Sequence, residues 1–498
     1  MRVDINKITS AVNKVTSMAS DLKQKPGVLL DLSENLLKVC FSDSHKSIIE
    51  KIEVQTEEGD HFGATVVDYD TLVRAISNCQ PSGNIKVTDI YFTFKDNNII
   101  TVSADQNYEP TDAEGNSLGT RKMSTKKMDL VCKDPGSDMR AAVLSRMDYE
   151  SIFNASDKDG NPVTADVYDK KEFMDALART ATEKGRQIYF SVKTQSVFVA
   201  NQAHLTAIPI RGSELTEDDK NSIAGALSEA GPYTQDDLEA AYAKASNKIN
   251  YSISISQSVA KSIYDVLNRT DADTVSVYTK DRFCNIFIDS EDEHVGIWTE
   301  MVQANRAHVG ALDRYCGFGY QSYQLLFLRE FILDILKSVN ASSASEKIAL
   351  KFEAFSPEEN PEAKCYNLII DASSSSSSVS DKYSLAIEDV SDTIGDLATK
   401  TFVVSTKVLL DMIAQLKTDY VALDFNCENN AVALRMSEII RDKWMEVVSK
   451  SLRSAAATYC AQNNIEFNDT TRTPDIVKAQ QLRSDSILGA RQYTIVGN

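Results

Sequence analysis

The chain has 498 residues, 42% of them hydrophobic and 25% charged, and a formal net charge of −19. That composition can bury real cores and excludes wholesale disorder, and the acidic balance excludes a protein that coats nucleic acid or anionic membrane over its whole surface. No run approaches the roughly 18 apolar residues of a membrane helix, and no apolar stretch follows Arg2 as in a signal peptide, so a cytoplasmic protein with no membrane partner is expected.

Eight cysteines lie far apart with no CxxC pair, which reads as reduced, buried small hydrophobes; no metal and no cofactor is expected. At about 150 residues per domain, the length corresponds to about three domains.

In chain order, Val3 and Ile5 open a strand, and Ile5, Ile8, Val12 and Val15 form a helical stripe. After Pro26-Gly27 come two strands, Val28 to Leu32 and Leu36 to Phe41, joined by Ser33-Glu34-Asn35. A second copy of this pattern runs from Thr65 to Ala104, with a stripe at Tyr69, Leu72, Val73 and Ile76 and strands over Ile85 to Phe94 and Ile99 to Val102. Residues 107–165 break the rhythm with Gly, Asp, Asn and Lys. Within them Asp157-Lys158-Asp159-Gly160-Asn161 reads either as half of an EF-hand loop, lacking its twelfth-position Glu, or as a hairpin turn.

The third copy spans Asp166 to Ile210, with Phe173, Met174 and Leu177 on its helix and His204 to Ile208 as a strand. An acidic insertion, partly helical, follows over 211–247. The fourth copy, Ile249 to Thr299, has Val259, Ile263, Val266 and Leu267 on its helix, and the fifth has Leu328, Ile332, Ile335, Leu336 and Val339. Serines 373 to 378 form a low-complexity run. The sixth copy, Thr401 to Met436, is the clearest: Phe402-Val403-Val404, cap candidates Ser405 and Thr406, a stripe at Val408, Leu409, Met412, Ile413 and Leu416, then two alternating strands. An amphipathic helix carrying Trp444 extends beyond it, and Arg491 to Val496 closes as a strand. Either the chain repeats one strand–helix–strand–strand unit six times, two per domain, or strands and helices alternate by chance.

Basic residues fall opposite the apolar stripes: Arg74, Lys261 and Lys407, with Lys7, Lys14, Arg179, Lys337 and Lys417 also on or beside these helices. On one surface they would give an acidic protein a basic lining able to contact phosphates without reading bases; singly, each reads as an ordinary solvated side chain.

The segments GATVVDYDTLVRAISNC, VFVANQAHLTAIPI and FVVSTKVLLDMIAQLKTDYVALDF resemble DNA sliding clamps of the bacterial DNA polymerase III β-subunit type, and the resemblance spans nearly the whole chain as an architecture. It implies an α+β DNA-clamp fold of three domains, each of two βαβββ units, with helices on the inner face and antiparallel sheets outside. The domains would be 1–150, with an insertion from about 107; 151–312, with the insertion 211–247; and 313–498, with the insertion 437–487. It implies a non-enzymatic processivity factor: a homodimeric ring around duplex DNA that tethers a polymerase and is handled by a clamp loader, both through short peptides.

The peptide pocket would use His204 and Leu205 from one strand and Tyr493, Ile495 and Val496 from the closing strand, although His204 also reads as an interior histidine. The greater length, and an ending in Val496-Gly497-Asn498 in place of the family's Met-Pro-Met, point to a divergent, phage-encoded member with altered peptide specificity.

Two other classes stay open. A metal-dependent nuclease would need the acidic run Asp289, Glu291, Asp292 and Glu293, which reads better as a turn; no GxxxxGK[ST], GxGxxG, HExxH or GxSxG motif supports an enzyme. A clamp-like scaffold would bind a polymerase or transcription factor without encircling DNA.

Overall fold

A computed structural model describes residues 1–23, 27–43, 45–57, 63–95, 98–134, 165–181, 186–192, 195–200, 204–210, 215, 217–234, 237–238, 241–242, 245, 249–280, 282–291, 293–306, 325–342, 346–356, 358, 365–372, 382–388, 400–428, 431–439 and 488–496. Asp157 to Asn161, serines 373 to 378 and the Trp444 helix lie outside them.

One element order recurs six times. Repeat 1 is β1 (Arg2–Asp4), α1 (Ile5–Ala19), β2 (Val28–Ser33), β3 (Leu36–Ser42) and β4 (Lys46–Glu53). Repeat 2 is β5 (Gly63–Val67), α2 (Tyr69–Cys79), β6 (Asp89–Lys95), β7 (Ile99–Tyr108) and β8 (Arg121–Lys133). Repeat 3 is β9 (Asp166–Asp169), α3 (Lys170–Thr180), β10 (Gln187–Ser191), β11 (Ser196–Ala200) and β12 (His204–Pro209); the helix α4 (Glu217–Ala230) lies in the insertion after it. Repeat 4 is β13 (Ile253–Ser256), α5 (Gln257–Leu267), β14 (Thr274–Lys280), β15 (Phe283–Asp289) and β16 (His294–Glu300). Repeat 5 is β17 (Leu325–Leu328), α6 (Arg329–Ser342), β18 (Lys347–Phe355), β19 (Cys365–Asp371) and β20 (Lys382–Glu388). Repeat 6 is β21 (Thr401–Ser405), α7 (Thr406–Ala414), β22 (Tyr420–Glu428), β23 (Ala431–Ile439) and β24 (Leu488–Val496).

Five of the six strand-to-helix corners are made by a short polar side chain. Asp4, Asp68, Asp169, Ser256 and Ser405 stand in extended backbone and accept hydrogen bonds from the first free N–H groups of α1, α2, α3, α5 and α7. A cap of this kind is worth about 1 kcal/mol and lets the helix start without leaving a gap after the strand. α6 has no such cap. Its first residue instead reaches across, Arg329 Nε donating to Ile413 O and Nη2 to Ala414 O at the end of α7. A cation there satisfies orphan carbonyls and complements the helix dipole.

The repeats exchange strands in pairs. β1 lies antiparallel on β6 and β5 on β2; β9 on β14 and β13 on β10; β17 on β22 and β21 on β18. The first strand of each repeat thus completes the sheet of its neighbour. The helix that follows is tied to the same neighbour, since Ile5 N donates to Thr88 O, Lys170 N to Asp273 O, Gln257 N to Arg186 O, Arg329 N to Asp419 O and Thr406 N to Glu346 O.

The chain forms two compact units. The first, residues 1–192 with 210–303, contains a 12-stranded antiparallel ladder in the order β1-β6-β7-β8-β5-β2-β3-β4-β16-β15-β14-β9. Its helices pack in a row, α2 on α1, α1 on α5 and α5 on α3. The second unit, residues 193–209 with 304–498, contains the ladder β11-β12-β24-β23-β22-β17 and the sheet β20-β19-β18-β21, with α6 packed on α7.

The expected stripes are the buried ones: Ile5, Ile8, Val12 and Val15 on α1; Leu72 and Ile76 on α2; Ile263 and Leu267 on α5; Ile332, Leu336 and Val339 on α6; Leu409, Met412 and Ile413 on α7. Each is worth about 1.5–3 kcal/mol when fully buried. Three elements depart from the sequence reading. β4 and β20 are full strands not anticipated there, and Arg121–Lys133, read as insertion, is the 13-residue strand β8. Only Leu130 and Cys132 of β8 are buried, so its lysines mask the alternation. Among the described residues, no helix is long and apolar enough to cross a membrane.

Candidate nucleic-acid interface

The six repeat helices differ in charge from the rest of the chain. They carry ten basic side chains against seven acidic ones, within a chain whose net charge is −19. Asn6 and Asn13 on α1, Ser77 and Asn78 on α2, Ser258 on α5 and Asn340 on α6 are exposed beside them, as are Asp70 on α2, Glu172 on α3, Glu330, Phe331 and Asp334 on α6 and Asp411 on α7. Such a face can hold phosphates weakly and exchange them readily.

Arg74, Lys261 and Lys407 are exposed on α2, α5 and α7, opposite the buried stripes, as the helical spacing requires. Lys337 is exposed on α6, with its ammonium 3.6 Å from Asp334. Lys417 is exposed just past α7 and donates its backbone N–H to Glu438. Lys7 is half-buried in the first turn of α1. Arg179 is also half-buried, its Nε 2.8 Å from Asp175 one turn earlier on α3.

Lys14 is not on the solvent face. It is completely buried, with Nζ 2.8 Å from Glu50 Oε1 on β4 and 2.7 Å from Glu293 Oε1 in the β15–β16 turn. The helical wheel placed it opposite the stripe correctly. That opposite side is covered, because α5 packs on α1 and the turn of repeat 4 closes over the lysine. The acidic run is accordingly a turn, Ser290 N donating to Glu293 O, and its Glu293 is an ion-pair partner. Burial pushes the Glu50 carboxyl up to about 7, against the pull of Lys14. A second buried lysine stands close by in the same unit: Lys46 on β4 donates to Asp21 and to Ser262 Oγ on α5.

Sequence reasoning missed Lys170, Lys171 and Arg329. Lys171 is exposed at the start of α3, whereas Lys170 donates to Thr270 O, just past the end of α5. The signal for the first two was available, since the cap Asp169 fixes where the helix begins and hence which way the next two side chains go.

The expected peptide-pocket strands are neighbours. β12 lies antiparallel to β24, with His204 opposite Thr494 and Leu205 opposite Tyr493; on its other edge β24 pairs Ile495 with Ala433 and Val496 with Val432. Leu205 is fully buried and His204 is 9% exposed, so these two side chains belong to the floor of that region. Among the described residues, no group of three or more His, Cys, Asp or Glu is placed to hold a metal ion.

No protein-family model matches the chain and no curated protein matches its sequence. Solved structures do match, end to end. The DNA polymerase III beta subunit of Thermotoga maritima superposes with a TM-score of 0.51 at 10% identity, over 100% of this chain and 99% of that one. The chain has the DNA-clamp fold. The H. pylori beta clamp gives 0.53 at 13% identity, covering 100% of both chains, and the sliding clamp of Pseudomonas aeruginosa gives 0.54 at 8%, covering 100% and 99%. At these identities it is the arrangement of the six repeats that carries the likeness to the clamp fold.

Proposed function

We propose that this chain is a sliding clamp: a non-catalytic processivity factor that closes as a two-chain ring around duplex DNA and tethers a polymerase and a clamp loader through short peptides. The observation that carries this reading is the sixfold repeat itself, in which every helix brings at least one basic side chain and the six together carry ten basic side chains against seven acidic, within a chain of net charge −19. Phosphate contacts that are few and salt-screened let a ring slide, and retention then comes from topology, not affinity. The lining is assigned to Lys7, Arg74, Arg179, Lys261, Lys337, Lys407 and Lys417, with Lys171 added and Lys14 removed.

Exchange of first strands couples repeats 1 with 2, 3 with 4 and 5 with 6, which supports three domains of two repeats. Fourth strands join repeat 1 to repeat 4, as β4 on β16, and repeat 3 to repeat 6, as β12 on β24. That leaves β8 and β20 as the edges for a second copy. Partner peptides would dock beside the β12–β24 pair, where His204, Leu205, Tyr493, Ile495 and Val496 converge by register.

Negative-stain electron microscopy of the purified chain tests the reading. A closed ring with a hole wide enough for duplex DNA supports it. Compact or crescent-shaped particles at all concentrations would sink it in favour of a scaffold that does not encircle DNA.

A further inference from the structure

On five of the six repeat helices the lining base has an acid one turn away. On α2 it is Asp70, four residues before Arg74; on α3 it is Asp175, four residues before Arg179 and four after Lys171. On α5 Asp265 stands four residues after Lys261, on α6 Asp334 stands three before Lys337, and on α7 Asp411 stands four after Lys407. Residues three or four apart share a helix face, so each carboxylate can reach its base. α1 is the exception, with no acid in its sequence.

Two of these pairs are closed and three are open. Arg179 Nε lies 2.8 Å from Asp175 Oδ2, and Lys337 Nζ lies 3.6 Å from Asp334 Oδ1. Arg74, Lys261 and Lys407 make no ion pair among the described residues, although an acid stands within one turn of each. Helix stability alone does not account for the arrangement on α5 and α7. An ion pair supports a helix best with the acid nearer the N-terminus, and on these two helices the order is reversed and the pair stands open. A role outside the helix fits the spacing better. Phosphate and carboxylate both offer a base charged oxygens, and an exposed pair gains so little from holding two side chains still that one partner readily replaces the other.

We propose that Asp70, Asp175, Asp265, Asp334 and Asp411 are tethered competitors for DNA phosphate: each takes back its base when a phosphate leaves, and so sets how briefly the duplex is held. The proposal rests on the reading above of the repeat helices as the DNA lining. A phosphate that moves off Lys261 is followed by a carboxylate already within reach, so successive phosphates pass the base without any one being gripped. On α3 Asp175 lies between Lys171 and Arg179 in the same row and serves both.

Binding of the full chain to a fluorescent duplex, followed by anisotropy over a range of salt, tests this. Asp265→Asn and Asp334→Asn are each expected to tighten binding about two-fold and to steepen its salt dependence. Asp265→Asn, Asp334→Asn and Asp411→Asn together are expected to tighten it about eight-fold. Glu53→Gln, Glu114→Gln and Glu353→Gln together remove the same charge from exposed strand and turn positions, and are expected to change binding by less than about two-fold. In a Lys261→Ala background, Asp265→Asn is expected to have no further effect, because the competitor acts only through its base. An equal gain with and without Lys261, or from the strand and turn variants, would make the effect one of net charge and overturn the proposal. No gain from any Asp→Asn variant, with Lys261→Ala still weakening binding, overturns it while leaving the lining in place. No loss in Lys261→Ala removes the lining itself.

Discussion

Lys14 Nζ lies 2.8 Å from Glu50 Oε1, and neither side chain reaches solvent to any useful extent: the lysine is fully buried and the glutamate 6% exposed. With Glu293 at 2.7 Å, one ammonium serves two carboxylates and fastens α1 to β4 and to the turn of repeat 4. Removing one partner of a buried pair leaves the other uncompensated, at a cost of about 3–5 kcal/mol. Lys14→Ala is therefore expected to lower the melting temperature sharply in calorimetry. An unchanged melting temperature would mean that the lysine is solvated.

The same cluster predicts a pH dependence. Burial raises the Glu50 carboxyl from its ordinary 4.5 to about 7, so between these values the folded chain holds a proton that the unfolded chain has lost. Stability is then greatest below the ordinary value and falls as pH rises through about 7, by about 3 kcal/mol from this group alone. Glu293 keeps Lys14 paired while Glu50 is neutral, and Glu50 Oε2 has no hydrogen-bond partner among the described residues. In Glu50→Gln, denaturant unfolding is expected to lose this decline between pH 5 and 7. A decline that persists in the variant would place its origin in another group.

Exposed helix cations should behave in the opposite way. Arg74→Ala, Lys261→Ala and Lys407→Ala are expected to leave the melting temperature within about 0.5 kcal/mol of wild type, since surface changes away from special features cost little. Each is expected to lower the salt dependence of duplex binding by about one unit of slope. Loss of stability without a change in slope would count against the proposed lining.

Asp68 tests the corners. Its side chain accepts from Thr71 N and Thr71 Oγ1, and these bonds hold its carboxyl below the ordinary carboxylate range. Asp68→Ala is expected to cost about 1 kcal/mol in denaturant unfolding, and Asp68→Ser far less. Because the folded pKa is depressed, this contribution is present above the ordinary value and is lost as pH falls through the lower one.

Much of this fold is legible in the sequence, because each repeat switches its apolar period from near 3.6 to two at a polar break, as at Lys417-Thr418-Asp419. The caps Asp68 and Ser405 are readable for the same reason. What lies between repeats is not. Nothing near Lys14 in the chain announces Glu293, which is 279 residues away, and helical spacing tells which side a residue is on but not what covers that side. β8 was hidden by its own composition, since its exposed positions carry lysines and an arginine where a central strand would have valines.

The place of β24 has a consequence for synthesis. It is inserted between β12 and β23, so the edge of β12, complete by residue 209, stays bare until residues 488–496 have left the ribosome. Through that long interval the nascent chain carries an open strand edge that could pair with any other chain, which makes the interval the period when it most needs a chaperone. A messenger cut short near its end would yield a protein with two unprotected edges and a ready path to aggregation.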